Sequence, residues 1–168
     1  MKLTSIEDVY AAQLGDLRSA EMQLIEALPA LAEAASDRKL SAAFTEHLEQ
    51  TERHLERLDE IIASSPSPVP DDPCDAMRGL INEGHRIISA EGPGEVKDVA
   101  LIAAAQRVEH YEISAYGTAR ALADQLDQRD ARQLLSETLD EESQTDELLT
   151  KLATGGLIIA GLNERAQP

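Results

Sequence analysis

The chain of 168 residues is long enough for one domain with a sizeable buried core. Its 32 acidic and 15 basic side chains give a formal net charge of −17, which would repel a phosphate backbone and argues against nucleic-acid binding. The single cysteine, Cys74, excludes a disulfide framework and Cys-rich zinc sites. We expect a cytoplasmic protein without membrane contact, because no apolar run approaches about 20 residues and the N-terminus turns acidic at once.

Two long helices are predicted before residue 64. The first covers residues 5–35, where leucines recur at helical spacing and Thr4 with Glu7 predicts a capping box. The second follows the abrupt turn at residues 36–37 and ends near Ala63. Since so short a connection leaves no room for a crossover, the two helices are expected to be antiparallel neighbours.

A proline-rich crossover separates these helices from the second half of the chain. Residues 64–73 contain four prolines, which excludes both a helix and a strand there. A shorter helix is predicted over residues 74–90, and two long helices over residues 96–126 and 130–154. The chain therefore contains two long-helix hairpins joined by a loop and a short helix.

This order of elements predicts an all-α four-helix bundle with a short extra helix in its crossover. No segment shows the alternation of a strand bounded by turns. We expect residues 1–154 to form the bundle and residues 155–168 to form a C-terminal tail. The tail is apolar between residues 155 and 162, which suits docking on the bundle or on a partner chain.

Carboxylates interrupt the apolar stripes of three of the long helices. Glu21 takes a position of the leucine repeat in the first helix, and Glu142 interrupts the stripe of the last. Glu109 and Glu112 lie one turn apart on the inward face of the helix between them. Any one glutamate on an acid-rich helix is most often solvated. Four near mid-helix favour a site instead, because unpaired carboxylates in a core are costly unless a cation or proton intervenes.

The second helix offers histidines. His47 and His54 lie two turns apart on one shoulder of its apolar face, whereas Glu49 and Glu52 lie on the other shoulder and further out. The histidines are the better-placed donors, and imidazole suits iron or manganese. Carboxylates from several helices with such a donor are typical of the di-iron carboxylate proteins of ferritin-like bundles. The pattern therefore predicts a dinuclear metal centre.

One run of sequence also closely resembles a known family. Residues 100–118, ALIAAAQRVEHYEISAYGT, are similar to the signature helix of the bacterial YciE/YciF family, most specifically between residues 108 and 117. Four further segments resemble that family in order along the chain: 19–24, 43–51, 74–81 and 138–142. The resemblance extends from about residue 5 to residue 153.

The resemblance implies a ferritin-like, rubrerythrin-related bundle that forms a homodimer and takes part in stress responses. It implies metal binding by four carboxylates: Glu21, Glu109, Glu112 and Glu142. To these we add His54 from the second helix, with His47 as the main alternative. The second helix departs from the usual Glu-x-x-His pattern, because Thr51 stands three residues before His54. This departure brings a second metal ion, and hence redox catalysis, into question.

Three functions remain open at this point. The first is a di-iron or iron/manganese oxidoreductase that acts on peroxide, oxygen or the metal itself. The second is a metal-sequestering protein without turnover, and the third is a dimeric structural or stress-assembly protein that metal stabilises. The absence of Glu-x-x-His favours the last two. The expected partners are a second copy of the chain and metal ions, without nucleic acid or membrane.

Overall fold

Good helix formers dominate the long segments of this chain, and the fold is built from helices. The computed structural model describes residues 3–155 and 160–167. Its helices are α1 (Ile6–Ala34), α2 (Arg38–Ala63), α3 (Asp75–Ile88), α4 (Gly94–Gln125), α5 (Arg129–Thr154) and α6 (Leu162–Arg165). Within those residues the only β-type pairing is an isolated bridge between Gly155 and Ala160. The all-α prediction is confirmed, and part of the predicted tail, residues 156–159, lies outside the described residues.

The four long helices form a bundle in which each packs against two neighbours. α1 lies along α2 and α4, and α5 lies along α4 and α2. α3 packs on the outside against α1 and α4, and α6 contacts α4 and α5. This is the predicted ferritin-like bundle, with the extra helix in the crossover. Across the described part of the chain, no helix combines the length and apolar character needed to cross a membrane.

The start of α1 differs from the predicted capping box by one residue. Ser5 is the N-cap, and its Oγ accepts a hydrogen bond from the Asp8 amide at 3.3 Å. Asp8 Oδ2 accepts in return from the amides of Ser5, at 3.1 Å, and Thr4, at 2.7 Å. The predicted pair of Thr4 with Glu7 is therefore wrong. The helix begins one residue later, which places Asp8 at the position that reaches back to both amides.

A carboxylate from α4 holds the turn between α1 and α2. Asp98 is fully buried, and its two oxygens accept the backbone amides of Ser36 and Asp37, each at 2.8 Å. Asp37 in turn caps the first amides of α2 and accepts from Arg165 of α6 at 2.8 Å. One buried side chain thus ties the first hairpin to the second.

The apolar core has two parts, one toward each end of the bundle. One contains Leu24, Phe44 and Leu149, and the other contains Leu14, Leu58 and Leu135. Between them, along every long helix, lie buried polar side chains. We call this set the polar layer: Glu21, His47, Thr51, His54, Glu109, Glu112, Thr138, Glu142 and Thr145.

The turn held by Asp98 allows a test of the fold. Asp98→Ala should lower the free energy of unfolding by about 3–6 kcal/mol, because two backbone donors lose a charged acceptor and each such bond contributes about 1.5–3 kcal/mol. Denaturant unfolding of the purified variant measures this loss. Asp140→Ala, which removes an exposed carboxylate from α5, is the matched control. Equal stability of the two variants would contradict this role of Asp98.

Candidate metal centre

The polar layer receives ligand-type side chains from all four long helices. They are Glu21 from α1, His47 and His54 from α2, Glu109 and Glu112 from α4, and Glu142 from α5. Each is at most 3% exposed. The spacings explain why they face the bundle axis together, since residues three or seven apart share one face of a helix.

Position 1 consists of His47, Glu109, Glu112 and Glu142. One ligand atom from each lies within 4.8 Å of the others. His47 Nε2 is 3.4 Å from Glu109 Oε1 and 3.9 Å from Glu142 Oε2. A metal ion with bonds of about 2.0–2.2 Å holds its ligand atoms at comparable separations. Position 1 can therefore accept an ion with little rearrangement.

Position 2 consists of Glu21, His54 and Glu142, again with ligand atoms within 4.8 Å of one another. His54 Nδ1 is 2.9 Å from Glu142 Oε1 and 3.7 Å from Glu21 Oε1. Glu142 thus presents Oε1 to position 2 and Oε2 to position 1. Glu142 therefore belongs to both positions, with one carboxylate oxygen facing each.

Each of the two histidines has a hydrogen-bond partner on the ring nitrogen that points away from positions 1 and 2. His54 Nε2 lies 2.8 Å from Glu141 Oε2, and the other ring nitrogen, Nδ1, points into position 2, where it lies 2.9 Å from Glu142 Oε1. His47 Nδ1 lies 3.4 Å from Gln50 Oε1, which leaves Nε2 free for position 1. Metal-ligating histidines are usually held in this way, by an outward hydrogen bond that fixes ring and tautomer.

Glu141 connects position 2 to the protein surface. Both terminal guanidinium nitrogens of Arg57 donate to Glu141: Nη1 to Oε2 at 2.6 Å and Nη2 to Oε1 at 3.1 Å. Arg57 Nη1 also donates to Thr138 Oγ1 at 3.2 Å. The bond to Arg57 holds the pKa of Glu141 below its usual value despite partial burial, so Glu141 remains an ionised acceptor for His54.

Tyr116 holds the other carboxylate of position 2. Its hydroxyl, which is completely buried, donates to Glu21 Oε1. Glu21 Oε2 has no hydrogen-bond partner among the described residues. Glu21 is therefore oriented through Oε1, and its other oxygen, Oε2, is available to bind an ion.

Unpartnered polar atoms concentrate in these two positions. Within the described part of the chain, the buried side-chain atoms without a hydrogen-bond partner are Tyr10 Oη, Glu21 Oε2, His47 Nε2, His54 Nδ1, Glu109 Oε2, and both oxygens of Glu112 and of Glu142. All except Tyr10 Oη belong to positions 1 and 2. Each unpaired buried group costs about 1–3 kcal/mol, and a divalent cation would satisfy them together. The residues present therefore fit a metal centre.

Burial and mutual repulsion perturb the charges of the layer. Burial raises the pKa of Glu109 and Glu112 far above the usual value, with the charge of Glu142 adding to the effect. The pKa of Glu21 is raised to about 8 for the same two reasons. Burial acts on Glu142 as well, but His54 and His47 hold its pKa below the usual value. A metal ion would neutralise the negative charge of these carboxylates directly. It would replace the protons that the raised pKa values keep on them in the metal-free chain.

The five predicted ligands, Glu21, His54, Glu109, Glu112 and Glu142, all lie in positions 1 and 2, and their binding of metal stays a prediction. His47 and His54, which the sequence offers as alternatives, are both present, one in each position. Glu49 and Glu52 are exposed on the outer face of α2. The contacts of Glu141 with Arg57 and His54 could not be predicted from the sequence. Such contacts between helices leave no periodic signal.

Comparison with known proteins shows similarity over nearly the whole chain. Residues 5–164 match the family model described as "Domain of unknown function (DUF892)". The chain is 48% identical to Protein YciF of Escherichia coli (strain K12) over 168 residues, which cover 99% of this chain and 98% of that protein.

Two solved structures share the fold. The crystal structure of the E. coli stress protein YciF superposes with a TM-score of 0.87 at 50% identity, covering 89% of this chain and 95% of the other. YcfI from Rhodopseudomonas palustris superposes with a TM-score of 0.86 at 36% identity, covering 90% of this chain and 97% of the other. Family match, full-length identity and common fold together show that this chain belongs to the YciF family, the DUF892 family.

Proposed function

We propose that this chain is a stress-response protein whose polar layer binds two ions of iron or manganese. The observation that carries the proposal is the pair of buried ligand sets that share Glu142 and contain nearly all the unpartnered buried polar atoms of the described residues. The link to stress comes from E. coli YciF, which is described as a stress protein. The homodimer that the sequence resemblance implies is part of the proposal.

The chemistry of the donors favours iron or manganese. The layer offers carboxylate oxygens and imidazole nitrogens, a mixture that suits these metals and recurs in di-iron carboxylate bundles. The single thiol is not among the donors, since Cys74 Sγ contacts Tyr111 Oη at 3.0 Å instead. A site without thiolate is less suited to copper(I) or to structural zinc.

A small cavity beside position 1 supports access by a small oxidant. It measures about 20 Å³ and is lined by His47 and Glu109 together with apolar side chains such as Leu24, Phe44 and Leu149. This is room for about one water-sized molecule, which suits oxygen or peroxide and not an organic substrate. Bound iron would supply one-electron redox chemistry. The chain itself binds the ions, orients His47 and His54, and keeps bulk water out with the two apolar parts of the core.

The alternative is a non-catalytic bundle that sequesters metal or assembles under stress. It is favoured by the similarity to YcfI, for which a structural role has been suggested. In that case the ions would join the helices of the bundle and no reactant would need the cavity. Elemental analysis cannot separate the two functions, whereas consumption of peroxide by the loaded protein can.

Metal loading tests the proposed centre. Protein loaded anaerobically with iron(II) or manganese(II) and freed of excess ions should carry about two ions per chain by elemental analysis. Glu109→Ala removes a ligand of position 1 and should abolish binding there. Glu49→Ala, an exposed change on α2, should bind as the wild type does. A wild-type chain that retains only traces of metal would overturn the proposal.

The buried carboxylates also predict how stability depends on pH. Glu21, with a pKa of about 8, together with Glu109 and Glu112, keeps protons in the folded chain at pH values where the unfolded chain has released them. The free energy of unfolding of metal-free protein should therefore fall from about pH 5 to about pH 8, by up to about 1.4 kcal/mol per pH unit for each proton held. Urea unfolding with a chelator present measures this fall.

Two comparisons make the pH test specific. Glu112→Gln should flatten the fall, because the variant has one carboxylate fewer to ionise, whereas Glu52→Gln on the exposed face should not. Bound metal should also flatten it, since metal binding improves as protons leave the ligands. Metal-free stability that stays constant or rises across this range would show that the layer is not charged as described.

A further inference from the structure

Positions 1 and 2 differ in how their ligands are held. Position 1 has three residues of its own in addition to Glu142, whereas position 2 has only Glu21 and His54. A site with fewer protein ligands depends more strongly on each of them. The orientation of His54 is therefore critical for position 2.

A chain of contacts runs from the surface to His54. Arg57 is three residues after His54 on α2, and its two-pronged contact with Glu141 crosses to α5. Glu141 then accepts from His54 Nε2 at 2.8 Å, and His54 Nδ1 faces Glu142 at 2.9 Å. The side chains of Arg57 and Glu141 are 20% and 28% exposed, whereas that of His54 is completely buried.

We infer that Arg57 and Glu141 are positioning residues that decide whether position 2 binds its ion. The inference rests on the proposed metal centre. Glu141 fixes the proton on Nε2 and thereby leaves Nδ1 as a donor to metal. Arg57 keeps Glu141 against His54, because without the guanidinium this partly exposed carboxylate is free to turn toward water.

Among the described residues, no side chain of position 1 makes a hydrogen bond with the side chain of Arg57 or Glu141, and position 1 shares only Glu142 with position 2. His47 is oriented by Gln50 through Nδ1, at 3.4 Å. The other three residues of position 1 come from α4 and α5. Among the described residues, none of them lies within hydrogen-bond distance of Arg57. Loss of Arg57 should therefore affect one ion and spare the other. Position 2, with fewer ligands, should be the one that fills second.

Titration of the metal-free full chain with manganese(II) tests this inference. Calorimetry should resolve two binding steps in the wild type, and electron paramagnetic resonance should show a coupled pair once both positions fill. Arg57→Met keeps most of the aliphatic stem but removes the two hydrogen bonds to Glu141. The second step should weaken about 10–100-fold, the usual effect of losing an outer-shell partner, while the first step is unchanged. Arg53→Met, an exposed arginine one turn earlier on α2, is the control.

Substitutions at Glu141 separate positioning from mere structural support. Glu141→Gln retains an oxygen that accepts from His54 Nε2, so it should weaken the second step less than Glu141→Ala does. If Glu141 had only a structural role, both variants would instead show the same loss of affinity, and the loss would affect both binding steps. This pair also carries the test if Arg57→Met does not fold, as judged by circular dichroism.

The outcomes distinguish this inference from the proposed function. A wild type that binds no manganese or iron overturns the metal centre and the inference together. A wild type that binds one ion only, or an Arg57→Met chain that binds two with wild-type affinities, overturns the inference alone. Selective loss of the second step and of the coupled spectrum in Arg57→Met establishes it.

Discussion

The burial of several carboxylates in one layer at the middle of an apolar bundle is the constraint on which the rest of this structure depends. Glu21, Glu109, Glu112 and Glu142 are at most 2% exposed and lie close enough for strong mutual repulsion. Packing alone would favour leucine or alanine at these places. The surrounding residues make sense as a response to this charge: two histidines inside the layer, a tyrosine on Glu21, and an arginine one step further out.

The two parts of the apolar core fix the layer from above and below. Leucines of every long helix pack on both sides of it, so that the ligands project from helix segments held at each end. All ligand-type side chains of the layer lie on helices, so its geometry does not depend on the conformation of a loop. It is also shielded from bulk water, which strengthens every electrostatic interaction within it.

The sequence predicts the helices and the inward position of the four carboxylates, because both follow from the periodicity of a single helix. Glu21 and Glu142 each replace one apolar residue in a regular stripe, and that replacement is visible without a structure. The histidines could not be separated in this way. His47 and His54 are seven residues apart and share a face, so only the packing of neighbouring helices shows that each serves a different position. The contact of Arg57 with Glu141 lies between α2 and α5 and is invisible to a one-helix pattern.

Both ligand sets take residues from the two hairpins at once. Position 2 joins Glu21 and His54 of the α1–α2 hairpin to Glu142 of the α4–α5 hairpin, and position 1 joins His47 to three residues of the second hairpin. Neither hairpin alone can present either complete set. Both positions are therefore complete only when the two hairpins have packed together, and a chain whose hairpins are apart presents neither position. If the layer binds metal, the metal content of a sample would then report the fraction of molecules that are completely folded.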